Sequence, residues 1–125
     1  MSALNLVPAG ITAVGTYGPF SLEPIKGNGR GEAVSCFATA QGGTAGQTAT
    51  LEFHAAPTEN LVPSAGDAAT LVGSLTLTIG TADSFGVTAR GKLPDLSGLP
   101  NDWAWVIVTA IGTGGITLYP VMGGS

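Results

Sequence analysis

The residues able to do chemistry are few, and their spacing limits what each can contribute. His54 is the only histidine, and Glu52 precedes it by two places in Thr48-Ala49-Thr50-Leu51-Glu52-Phe53-His54-Ala55. In an extended segment that spacing sets imidazole and carboxylate side by side on one face. A metal site would need two or three more ligands from other strands. Nucleophilic catalysis would need three converging groups, to which Asp83-Ser84 could contribute. No such set is legible, so His54 is read as an exposed residue among Thr and Glu on a polar face. Cys36 stands alone, which excludes an internal disulfide framework and a Cys-based metal site. Val34 and Ala38 share its face, so it reads as a small buried apolar residue rather than an accessible, electropositive nucleophile. Gly27-Asn28-Gly29-Arg30-Gly31 has the glycine spacing of a phosphate loop. A strand follows it instead of the helix N-terminus such a loop requires, so it is a turn.

Trp103 and Trp105 lie two apart. Exposed, they would make a stacking platform for sugar rings; buried, each would supply about 150–250 Å² of apolar area. They open the segment Trp103–Ile111, whose aromatic, β-branched and Ala residues predict a strand. Alternation places Trp103, Trp105, Ile107, Thr109 and Ile111 on one face and Ala104, Val106, Val108 and Ala110 on the other. Neither face is polar. Such a strand is covered twice within its own domain, or once by the domain and once by another chain. The reading is of a non-catalytic protein with no cofactor and no metal.

Stepping outward, one domain is the natural organisation for 125 residues, and such a length buries a core without staples. Charged residues are 10% of the chain and the net charge is −4, against about 25% charged in an average domain. The four cations form two pairs, Lys26/Arg30 and Arg90/Lys92, too few for the basic stripe that nucleic acid demands. No apolar run approaches the ~18 residues of a spanning helix, so no membrane partner is expected. The first cation is Lys26, so the basic start of a secretory signal is missing and synthesis in a cytoplasm is expected.

The 20 Gly and 8 Pro residues punctuate alternating segments, which predicts many short strands joined by turns. Residues 1–10 form an extended arm, free to pair along a sheet edge or to reach a neighbouring subunit through Leu4, Leu6 and Val7. The single domain covers 11–122, and 123–125 is a flexible tail. Strands are expected at Ile11–Tyr17, at Phe20–Leu22, and at Glu32–Gln41, with Val34, Cys36, Ala38 and Ala40 inward. The Thr48–Ala55 strand turns Ala49, Leu51, Phe53 and Ala55 inward and pairs with the preceding one as a hairpin. Next come Thr70–Ile79, with Leu71, Gly73, Leu75, Leu77 and Ile79 inward, and Ser84–Arg90, with Phe85, Val87 and Ala89 inward. The last strand, Ile116–Met122, folds back on Trp103–Ile111 through a turn at Gly112–Gly115. Ala56–Ala69 and Gly91–Asp102 are long connections of the functional kind, and Arg90 and Lys92 pair with Asp95 or Asp102. The fold class is all-β: an antiparallel β-sandwich, jelly-roll-like, of about eight strands with little or no helix, with a closed antiparallel barrel as the alternative.

The segments SCFATAQ, TATLEFHAAP, GSLTLTIGTADSFGVTARGKLP and WAWVIVTAIGTGGITLYPV carry a resemblance. In composition, strand order and texture, residues 11–122 are similar to the small capsid decoration (cement) proteins of tailed bacteriophages. The resemblance implies a virion protein on the outer capsid surface, made in the host cytoplasm. It implies a β-sandwich or β-tulip fold and a homotrimer that stabilises the head by multivalent clamping of major capsid subunits. Interface residues are then expected at Leu4, Leu6, Val7, Trp103, Trp105 and Ile107, with Arg90 and Lys92 beside them. Two rivals share this texture: a carbohydrate-binding sandwich using Trp103 and Trp105, and a tail or fibre-base component.

Overall fold

The structure is a computed structural model that describes residues 2–26, 33–97 and 101–124. Gly27–Gly31, with Arg30, lies outside the described residues. In chain order the elements are β1 (Ser2–Asn5), β2 (Gly15–Ser21), α1 (Glu23–Lys26), β3 (Ala33–Gln41) and β4 (Thr48–Ala56). There follow β5 (Leu71–Thr78), β6 (Val87–Lys92), the two-residue β7 (Leu96–Ser97), β8 (Trp103–Ile111) and β9 (Thr117–Gly124). One sheet runs β1-β9-β3-β6, with β7 also on β3, and the other runs β2-β8-β4-β5. All pairs are antiparallel. First pairs with last, second with next to last, and so inward to β4 with β5. That is a long hairpin rolled into two layers, the jelly-roll form of the β-sandwich.

The core between the layers is built as the alternation requires. Val34, Cys36, Ala38 and Ala40 of β3 meet Ala49, Leu51 and Phe53 of β4 and Ala104, Val106 and Val108 of β8, all buried, with Leu118 and Met122 of β9. The alanines let the layers approach closely, and Phe53 and Leu51 fill what remains; each such large side chain contributes about 1.5–3 kcal/mol by burial.

Two expected hairpins do not exist. β3 and β4 lie in different sheets, as do β8 and β9. Gly42 and Gly43 have φ of 71° and 84°, a consecutive left-handed pair that turns the chain across the sandwich instead of back along the same sheet. The Gly42–Gln47 and Gly112–Gly115 arches are stitched together by Gly43 N–H donating to Gly114 O at 3.2 Å, and Gly46 N–H donates to Ile79 O at 2.8 Å. Pro120 does not end the last strand. Its nitrogen side faces the position just past the end of β1, where its carbonyl accepts from Leu6 N–H at 3.1 Å. The missing donor therefore costs no ladder bond. Gly123 and Gly124 are not a tail, since they pair with Ala3 and Ser2.

Register shifts move three large side chains. A bulge opposite Thr50/Leu51 takes Thr109 out of the ladder, so Ile111 packs inward on the core instead of sharing a face with Trp105. A second, opposite Phe53/His54, takes Val72 out; Val72 faces the core and Leu71 is exposed. Each bulged residue flips the sides of those beyond it. Phe85 is 81% exposed, because it lies in a turn before β6 begins at Val87. Asp83 accepts from the N–H groups of Phe85 and Val87 at 2.8 and 3.0 Å, and Gly86 N–H donates to Asp83 O.

Candidate functional site

The outer face of the β2-β8-β4-β5 sheet carries the residues first singled out. Glu52 and His54 sit on β4 opposite Ile107 and Trp105 of β8, and their side chains do meet. His54 Nε2 lies 2.8 Å from Glu52 Oε1; a carboxylate only accepts, so Nε2 carries the proton. In the neutral ring Nδ1 then accepts from the Thr70 hydroxyl at 2.8 Å. Glu52 Oε1 also accepts from the Gly66 N–H at 2.8 Å. Burial pushes the Glu52 carboxyl up, but the Gly66 amide and the His54 ring together hold it below the usual carboxylate range.

His54 is fully buried, which corrects the expectation of an exposed histidine. The missing knowledge was the path of residues 57–70. They leave β4 at its end, return over the outer face, and form successive turns in which Asp67 N–H donates to Ser64 O and Thr70 N–H to Asp67 O. The segment closes on β4 through Ala55 N–H donating to Thr70 O at 2.9 Å. Pro63 is buried on this path although it lies in a connection. Trp105 and Ile107, 1% and 4% exposed, belong to this second layer and not to the core between the sheets. On its other flank the indole lies against the Gly18 backbone, where an added Cβ would sit 2.6 Å from Cδ1. From Ala104 to Val108 the two-faced strand is thus covered on both sides by its own chain, while Thr109 and Ala110 are exposed.

The Thr70–His54–Glu52 line has the atom types of a nucleophile, a base and an acid. Thr70 is itself buried, at 6% exposure. The line is a structural tie between β4 and the 57–70 segment. Asp83 serves elsewhere, pairing with Arg90 and holding the 83–87 turn; its carboxyl is held low by Arg90 and by the Val87 and Phe85 amides. Cys36 is buried, and burial pushes its thiol up to about 12, as its neighbours imply.

The expected interface residues divide. Leu6, Trp105 and Ile107 are buried within the chain, so the paired indoles form neither a trimer centre nor a sugar platform; Trp103 alone is half-buried. Of the two destinations open to the N-terminal arm, the structure uses the first. β1 pairs with β9, Leu6 enters the core, and Leu4 and Val7 pack partly against it. Arg90 and Lys92 are exposed on β6, in an open groove of about 430 Å³ lined with Phe37, Ala38, Thr39 and Gly91. Lys92 pairs with Asp95 at 3.1 Å, as anticipated, while Arg90 takes Asp83. Asp95 is held low by the Ser35 hydroxyl and by Lys92.

What alternation missed are the bare apolar side chains. Val14 and Phe85 are 58% and 81% exposed, and Leu61, Val62 and Leu71 are 51%, 62% and 39%. Connections in an antiparallel roll alternate ends. The β1–β2 and β5–β6 connections, with Val14 and Phe85, therefore lie at one end, and the β4–β5 connection, with Leu61 and Val62, leaves from the other. The nine residues of β8 separate those ends by about 27 Å. The signal for Leu61-Val62 was in the sequence, two aliphatics between Asn60 and Pro63 in a segment with no strand pattern. Neither a family model nor a curated protein matches this chain.

Proposed function

We propose that this is a non-catalytic structural protein of a virion that sits on the outside of a phage capsid and clamps neighbouring major capsid subunits, acting as a trimer. The observation that supports it most is the placement of large apolar side chains, bare on connections that leave opposite ends of a sandwich whose own core is complete. Isolated exposed aliphatics are ordinary, but Leu61, Val62 and Leu71 cluster in sequence and fold at one end, with Phe85 and Val14 at the other. A rigid body with an adhesive region at each end bridges two partners. Trimer formation multiplies that effect, because the second and third contacts then occur at effective concentrations of order millimolar.

Two measurements test the reading together. Light scattering on the purified chain should give three times the monomer mass. Co-sedimentation with expanded heads of tailed phages should carry the chain down, and Leu61→Ser with Val62→Ser should abolish it without loss of fold. A monomer that binds no head overturns the proposal.

A further inference from the structure

Residues 57–70 are tied to the outer face at a few places only. Their ends are fixed by β4 and β5 and Pro63 is buried near the middle; beyond Pro63 the segment meets the sheet through Gly66 N–H to Glu52 Oε1 at 2.8 Å, backed by Thr70 to His54 and His54 to Glu52 at 2.8 Å each. Two of the three end on one carboxylate oxygen, and the third holds the ring that donates to it. Cross-strand from Glu52 and His54 lie Ile107 and Trp105, buried outside the main core, while Leu61 and Val62 of the same segment stand in solvent.

We propose that residues 57–70 form a strap latched by Glu52, and that protonating this carboxylate releases the strap and uncovers the Trp105–Ile107 face while the sandwich stays folded. Both N–H groups converge on Oε1; a proton taken up on the other oxygen removes the negative charge that strengthens them, so both bonds weaken at once. The groups around the latch are few. On β4 His54 is its titratable neighbour, and on the strap Asp67 follows Gly66 with its own carboxylate turned to Ala69 N–H at 3.1 Å. The facing residues of β5 and β8, Ser74 and Ile107, do not titrate. Because Glu52 is held below the usual carboxylate range, the latch is shut at neutral pH and opens only as pH falls through that lowered value.

The test uses the full chain carrying Trp103→Phe, so that Trp105 is the sole indole. Acrylamide quenching and far-ultraviolet circular dichroism are followed from about pH 7 to about pH 3. Quenching should rise several-fold in a transition that leaves the β signal unchanged, and the Gly66 amide should lose its protection relative to the intrinsic exchange rate over the same range. Glu52→Gln should be readily quenched already at neutral pH, with no further acid transition. Asp67→Asn should keep the transition, which assigns it to Glu52. Quenching that rises only together with loss of the β signal overturns the proposal, as does an acid transition that survives in Glu52→Gln.

Discussion

At the residue scale, the behaviour of single groups follows from what covers them. Cys36 is 1% exposed with a thiol pushed up to about 12, so it reacts only from the unfolded chain. Its labelling by a disulfide reagent should run at the global unfolding rate, become faster in urea, and be blocked in native buffer. Glu52 has the opposite character, a carboxylate that its partners keep ionised. Glu52→Ala strands the buried His54 Nε2–H and frees the exposed Gly66 N–H, and should destabilise by about 1–3 kcal/mol, read from urea unfolding. The pH dependence has a definite sign. The folded carboxyl titrates below the unfolded one, so its contribution is complete above the ordinary carboxylate range. It disappears as pH falls through the folded value. Asp83 and Asp95 are shifted the same way and add to acid sensitivity, though both are exposed and screened by solvent.

At the element scale, β8 is the strand with most to lose. Trp105 packs between the Gly18 backbone and His54, and Trp105→Ala should cost about 3–5 kcal/mol, measured as a shift in the urea midpoint. Gly18 has φ of 141°, and a side chain there would run into the indole. Gly18→Ala should therefore destabilise by about 1–3 kcal/mol through backbone strain and displaced packing together. The exposed turn behaves differently: Phe85→Ser should leave stability within about 0.5 kcal/mol, because the side chain packs on nothing it would miss. Should the proposed clamp be right, that same silent substitution weakens head binding.

At the scale of the whole molecule, the rolled pairing means that β1 and β9, from the two chain ends, close one sheet together. Removing residues 1–7 would uncover the β9 edge and empty the Leu6 site. The truncated chain should unfold at lower urea and aggregate, which static light scattering would detect. The adhesive regions belong to this scale as well, since Leu61-Val62 and Phe85 gain their meaning from lying on connections of opposite ends, and no local pattern relates them.

Some of this was determined by the sequence alone. Period-two alternation in 34–40, 49–55 and 104–108 identifies the core face because a strand's sides alternate whatever it pairs with. Glycine-rich breaks mark the connections, and the two-residue spacing of Glu52 and His54 guarantees their contact. Other features were decided only by the tertiary structure. Alternation is silent about which strand lies beside which, so two cross-sandwich arches read as hairpins. A bulge arises from how two strands are matched and not from either one, so Ile111 and Leu71 changed sides. The burial of His54 and Trp105 depends on where residues 57–70 travel after leaving β4. A chain's own connection can cover an apolar face as well as a partner can, and periodicity contains nothing that distinguishes the two.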